Sequence, residues 1–159
     1  MFLYIFWSFF SVLILMALGL CYKIARADMR RRIIPDAYLV PVLIIGLIIT
    51  TFFPWPTNIE SGVVGMTFGY LLSTIIGLIF DKILTKRNPG AESPIGMGDI
   101  KLISVGGLWC GPTGLAIALV LACIFGATWA YRKKQKFIPF APFFIIGGIL
   151  SLITIAFLI

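Results

Sequence analysis

The distribution of positive charge is the feature that most constrains the fold of this chain. All 13 Lys and Arg residues lie in three clusters, within residues 23–32, 82–101 and 132–136. Long apolar stretches separate the clusters, and the polar gaps 54–61 and 109–114 between those stretches carry no basic residue. Because membrane proteins retain basic loops on the cytoplasmic side, this alternation predicts that the clusters are cytoplasmic and the gaps external.

The composition agrees with a membrane location. Hydrophobic residues make up 60% of the 159 residues, far more than a soluble core of this size requires. A net charge of +7 in a soluble chain would suggest nucleic-acid binding. Here the charge is segregated, so we expect anionic membrane lipids as its partner and no nucleic acid. Residues 1–159 are expected to form a single membrane-embedded domain.

Six crossings follow from the apolar stretches. Residues 100–131 must cross twice or not at all, because the loops on both sides are basic, and Gly111-Pro112 marks the turn expected for two crossings. The predicted fold is an all-α integral membrane bundle of six transmembrane helices, with both termini on the non-cytoplasmic side. The other predicted spans are residues 2–22, with the helix continuing to about residue 26, and residues 37–53, 61–80 and 138–159.

Small residues recur at four-residue spacing in two of these stretches. One stripe is Gly65, Gly69, Ser73 and Gly77, and the other is Gly114, Ala118, Ala122, Gly126 and Ala130. Such stripes allow helices to approach closely in membranes, so both are predicted to be packing surfaces. Their spacing does not decide whether the two stripes pack against each other.

Six acidic residues are present, and four have ordinary explanations. Glu60 is expected in an external loop, Asp81 and Glu92 in ion pairs, and Asp36 at a helix start. Asp28 and Asp99 remain as candidates for chemistry. Their alternatives are structural: Asp28 beside Arg26 and Arg30 suits a salt bridge, and Asp99 suits a helix N-terminus.

The glycines before Asp99 favour the chemical interpretation. Gly96 and Gly98 add conformational cost, but they permit unusual backbone angles and close approach by an extended peptide. Two carboxylates sharing one proton hydrolyse a peptide bond without metal or covalent intermediate, since one takes a proton from water and the other polarises the carbonyl. The lack of histidine and of paired cysteines argues against His-based triads and zinc sites. We therefore expect no metal and no cofactor.

Three segments resemble the motifs of one family. Residues 96–102 (GMGDIKL) are similar to the G-x-G-D-[IV]-K-L motif of type IV prepilin peptidases. Asp28 with residues 34–36 (IPD) resembles the first aspartate motif of this family, and residues 138–143 (IPFAPF) its segment opening the last helix. The resemblance implies an aspartic endopeptidase that removes the short basic leader from prepilins or pseudopilins, cutting before their hydrophobic helix. Asp28 and Asp99 match the catalytic aspartates, with acid and base unassigned.

The resemblance also implies a location, and the positive charges independently predict further contacts. It places the enzyme in a bacterial-type cytoplasmic (inner) membrane, with the active site facing the cytoplasm. Lys101, Arg30, Arg31 and Arg32 are candidate contacts for substrate or lipid. Larger members carry an additional N-terminal region associated with N-methylation. This chain begins directly in its first span, so peptidase activity without methyltransferase activity is expected.

Other interpretations remain open. One is another G-x-G-D intramembrane protease, although the tyrosine-aspartate signature of the presenilin group is replaced here by Ala27-Asp28. Another is a non-enzymatic membrane assembly factor or small transporter. This is disfavoured because no ionisable residue interrupts the middle of a predicted span. The sequence does not indicate the oligomeric state, the particular substrate, or whether it serves pili or secretion.

Overall fold

The computed structural model describes residues 2–53, 57–87, 95–134 and 138–158, and these form five α-helices without a strand. Four of the helices are long and apolar enough to cross a membrane, and α2 is a shorter apolar helix. The all-helical prediction is confirmed, and the chain is an integral membrane protein. The helices are α1 (Phe2–Arg31), α2 (Asp36–Phe52), α3 (Ile59–Arg87), α4 (Met97–Lys133) and α5 (Phe140–Leu158).

The first helix is longer than predicted. It continues to Arg31, beyond the expected end near residue 26, and Arg32 follows with a left-handed φ of 54°. The physical reason is that residues 20–34 contain neither glycine nor proline, so nothing interrupts the backbone hydrogen bonds before Pro35. Asp28 therefore lies in the last turns of α1 and not in the loop after it.

A break at Gly111 divides α4. Gly111 has φ 66° and ψ 179°, and Pro112 follows it. A Cβ atom on Gly69 of α3 would lie 3.0 Å from the carbonyl oxygen of Ile103 and 2.9 Å from Cδ2 of Leu115. In a straight helix Ile103 and Leu115 would be about 18 Å apart. The helix therefore folds back at Gly111, and the predicted turn is confirmed as a break.

The predicted number of six separate spans differs from the five helices of the described residues. Residues 100–131, predicted as two spans, belong to α4, whose two parts we call the first arm (residues 97–110) and the second arm (residues 112–133). The third predicted span was also too short, because α3 extends to Arg87. No glycine or proline lies between Gly77 and Arg87 to end this helix earlier.

Chain segments from different basic clusters meet at one end of the bundle, which we call the basic end. The end of α1 is joined there to the start of α5, because the backbone N–H of Ala141 donates to Asp28 at 2.8 Å. At the opposite end, the rings of Phe6 and Phe53 are 4.2 Å apart, and Thr57 lies beside the break at Gly111. The charge pattern of the sequence thus corresponds to the two ends of the fold.

The buried core lies between α1, α2, α4 and α5. Ile24, Leu102 and Phe144 belong to its largest cluster, and Ile24 is fully buried. Trp109 connects α4 to α2, because its Nε1 donates a hydrogen bond of 3.2 Å to the Val42 carbonyl. A Cβ atom at Gly46 would lie 2.6 Å from the same Nε1, so this glycine makes room for the indole.

The two small-residue stripes are packing surfaces, as predicted, but they face different partners. Gly65 of the α3 stripe packs directly on the backbone of Gly107 in the first arm. Gly114 of the second stripe faces Ile155 of α5, and Ala118 presents its carbonyl to Gly147 of α5. Contacts that close leave no room for side chains, so the fold around α4 depends on glycine at these positions.

We predict that Gly65→Ala destabilises the fold by about 1–3 kcal/mol, because the added methyl group overpacks the interface. Its Cβ would lie 2.7 Å from the Gly111 carbonyl carbon. Thermal unfolding of the detergent-solubilised protein, followed by circular dichroism, measures the effect. Gly19→Ala is the control, because a Cβ there meets nothing within 4 Å. Equal melting temperatures for the two variants would contradict the packing described here.

Candidate active site

A cavity of about 280 Å³ opens at the basic end, where three chain segments converge. The end of α1 and the following loop form one wall, and the start of α5 forms another. The first turn of α4 completes it. Asp28 and Asp99 both line this cavity, although 71 positions separate them in sequence. The other lining residues are Arg32, Ile33, Ile34, Gly96, Gly98, Ile138, Pro139 and Phe140.

Asp28 is held by the N-terminus of α5. Its side chain is 5% exposed, and its Oδ2 atom accepts the 2.8 Å hydrogen bond from the backbone N–H of Ala141. The first N–H groups of a helix have no partner within the helix, so a carboxylate at this position satisfies an otherwise unpaired donor. The contact fixes the side chain of Asp28 and also holds the first turn of α5 against α1.

Asp99 is held by its own helix. It lies in the first turn of α4, where its Oδ2 accepts a hydrogen bond of 3.3 Å from the backbone N–H of Gly96. This is the carboxylate half of a capping box, so the predicted helix-start role of Asp99 is present. The side chain is half-buried and interacts electrostatically with Asp28. One carboxylate thus combines a local structural role with a position facing the other.

The two glycines before Asp99 have different roles. Gly96 has φ −72° and ψ 151°, an extended conformation open to any residue, so unusual backbone angles are not the reason for glycine there. Gly98 packs on the loop after α1, and a Cβ on it would lie 3.0 Å from the Cβ of Ile34. At Gly98, a close approach was predicted for a substrate peptide. In the structure, Ile34 of the same chain makes this approach.

The four basic residues predicted to contact substrate or lipid occupy different positions in the structure. Arg32 lines the cavity and interacts electrostatically with Asp28, whereas Arg30 and Arg31 are exposed and do not line it. Lys101 pairs with Asp36, the first residue of α2, with 2.7 Å between Nζ and Oδ2. Their side chains are 47% and 58% exposed, so the pair contributes at most about 1 kcal/mol to stability.

Several cavity residues were not identified as site residues from the sequence. Ile33 and Ile34 follow α1, and Ile138, Pro139 and Phe140 precede or begin α5. A signal existed, because residues 34–36 and 138–143 carry part of the family resemblance, but the motif alone assigned no role to them. In the described residues no three His, Cys, Asp or Glu side chains come together as metal ligands.

The fold and the site define a class of protein: a helical membrane protein in which two carboxylates line one cavity. A family model described as "Type IV leader peptidase family" matches residues 7–131. The chain therefore belongs to this family. No solved structure matches the chain.

Several named proteins are similar to this chain in sequence. The prepilin leader peptidase/N-methyltransferase of Burkholderia pseudomallei (strain 1026b) is 33% identical over 150 residues, covering 87% of this chain and 46% of the relative. The protein of the same name from Dichelobacter nodosus is 32% identical over 127 residues, covering 78% and 42%. A type 4 prepilin-like proteins leader peptide-processing enzyme of Escherichia coli O78:H11 is 29% identical, covering 79% and 45%. The chain spans about half the length of these relatives.

We predict that Asp28→Ala destabilises the fold by about 1–3 kcal/mol, because it leaves a buried N–H of α5 without its acceptor. Asp28→Asn retains an acceptor oxygen and should cost less. Thermal unfolding of both variants in detergent gives the comparison. A melting temperature for Asp28→Ala equal to that of the unchanged protein would show that the contact with Ala141 does not hold α5.

Proposed function

We propose that the chain is an aspartic endopeptidase that removes the short basic leader from type IV prepilins or pseudopilins. The observation that carries the proposal is that Asp28 and Asp99 line one cavity. The family and the names of the relatives support the substrate class, since these are described as leader peptidases or leader peptide-processing enzymes.

The proposed mechanism uses the two carboxylates as one unit. When the pair holds a single proton, the ionised carboxylate accepts a proton from a bound water, and the water oxygen attacks the scissile carbonyl. The protonated partner donates to the carbonyl oxygen, so the tetrahedral intermediate forms without a metal or a covalent enzyme adduct. Electrostatic interaction between Asp28 and Asp99 supports treating them as a coupled pair.

The proposed setting is a bacterial inner membrane, with the basic end in the cytoplasm and six crossings. The fold-back of α4 supports two crossings by its two arms, and the positive-inside rule supports the orientation. The first arm is about 21 Å long, shorter than the roughly 30 Å hydrocarbon core. Asp99, at the start of this arm, would then lie at or slightly below the headgroups, where a substrate helix in the bilayer ends.

Co-expression with candidate prepilins tests the dyad, with leader removal followed by gel mobility. Asp28→Asn and Asp99→Asn should each abolish processing, because each removes one half of the proton transfer. Asp36→Asn is the matched control, since it makes the same chemical change at an exposed carboxylate outside the cavity. Processing that survives both cavity substitutions would refute the mechanism.

Cysteine labelling in intact cells tests the orientation separately from the chemistry. A cysteine at Glu60, exposed at the start of α3, should react with an impermeant maleimide added from outside. A cysteine at Arg31, exposed at the end of α1, should react only after the membrane is permeabilised. The reverse pattern would overturn the proposed topology.

A further inference from the structure

A second concave region lies between the same three helices that form the candidate active site, and α2 contributes Val42, Ile49 and Thr50 to its lining. It consists of cavities of about 290 Å³ and about 210 Å³, which share Ile14, Trp109, Leu152 and Ile153 and so form one groove. The groove runs between α1 and α5, with the first arm of α4 as its floor. We call it the apolar groove, and its lining includes Ile14 and Ala17 of α1, Leu102 and Trp109 of α4, and Gly148 and Ile153 of α5.

The apolar groove is in register with the two carboxylates. Cys21 lies two helical turns before Asp28 on the same face of α1, and Leu102 lies one turn after Asp99 on α4. On α5, Phe144 lines the groove and Phe140, one turn earlier, lines the active-site cavity. The groove and the active-site cavity therefore lie one after the other along the same three helices, separated on α1 by the fully buried Ile24.

The active-site cavity and the apolar groove together extend over the length of a membrane span. From Asp28 to Phe10, which lines the far end of the groove, α1 rises about 27 Å. The hydrocarbon core of a bilayer is about 30 Å thick. Between Cys21 and Asp28 the rise is about 10 Å, a distance that three extended residues bridge. A peptide with an extended segment at the carboxylates and a helix beyond it fits this spacing.

The groove is open to the bilayer along its rim. Leu18 on α1 and Ile149 on α5 line it and are 44% and 39% exposed, whereas Leu102 and Val105 on the floor are buried. Gly148 lines the α5 wall, and a Cβ there would meet nothing closer than Cys110 Sγ at 3.9 Å. Glycine at an open wall permits close approach by the backbone of another helix.

We infer that the apolar groove is the docking site for the apolar helix of the substrate, which enters laterally and places its N-terminal end at Asp28 and Asp99. This inference rests on the proposed function and adds the surface that selects the substrate. Lipid acyl chains and a second copy of the chain are apolar too. Neither of them explains why the groove is aligned with the two carboxylates.

Two synthetic peptides test the inference with the full 159-residue chain in vesicles. Both carry a short basic leader and the scissile bond. The long peptide continues into an apolar helix of about 20 residues, the length of a span, and the short one stops a few residues after the cut. Gly148→Leu should lower kcat/KM for the long peptide about tenfold, mainly through KM, because the new side chain fills the groove.

The same substitution should leave cleavage of the short peptide unchanged. Gly19→Leu is the matched control, since Gly19 lies on α1 outside the groove with nothing within 4 Å, and it should affect neither peptide. An equal loss with both peptides, or no loss with the long one, would overturn the inference.

Photocross-linking gives a readout that does not depend on turnover. In an Asp99→Asn background, p-benzoylphenylalanine replaces Leu18 on the rim or Met16, which is 55% exposed and does not line the groove. Adducts with the long peptide should form from position 18 and not from position 16. Adducts with phospholipid alone, with a second copy alone, or equally from both positions would overturn the inference.

The two proposals fail in different ways. If the unchanged chain cleaves neither peptide, the peptidase proposal fails and cross-linking alone decides whether the groove binds an apolar helix. If the unchanged chain cleaves both peptides and Gly148→Leu has no effect, the groove proposal fails and the peptidase proposal stands.

Discussion

The hydrogen bond between Asp28 and the backbone N–H of Ala141 joins the first helix to the last. Because this contact is buried, losing the acceptor would leave the N–H group of Ala141 without a partner, so such a contact is hard to replace. It positions the start of α5, and with it Ile138, Pro139 and Phe140, against the end of α1. The active-site cavity and the apolar groove both depend on this junction. It fixes how closely α1 and α5 approach each other at one end.

Much of the fold follows from the sequence because membranes impose simple constraints. Apolar length and charge segregation were sufficient to predict helices, their order and a basic end. Helix ends were predicted less well, because residues 28–31 and 81–87 carry several charges yet remain helical. Polarity indicates where a helix leaves the hydrocarbon, whereas glycine, proline or a cap decides where it stops. Gly111-Pro112 shows the contrast, since this pair did mark a break within α4.

The candidate site was predicted in part, for reasons that differ from residue to residue. Asp28 and Asp99 stood out because acidic residues are few and the other four had local explanations. Charge segregation predicted that both lie at the same side of the membrane, and the resemblance supported their pairing, but spacing alone could not show that they share a cavity. Lys101 was expected at a substrate or a lipid, but it pairs with Asp36, a contact between residues 65 positions apart. Side-chain partners at such distances depend on how the helices pack.

The contact between Gly65 and Gly107 has a consequence for how this protein tolerates sequence change. Here α3 meets α4 backbone to backbone, so the two helices fit together only because glycine has no side chain at these two positions. The other faces of α3, including Val64, Phe68 and Leu71, are exposed on the outside of the bundle. Any apolar side chain suits such a lipid-facing position, so substitutions can accumulate there freely while the glycine face stays fixed. The shape of this helix pair is thus specified by very few positions.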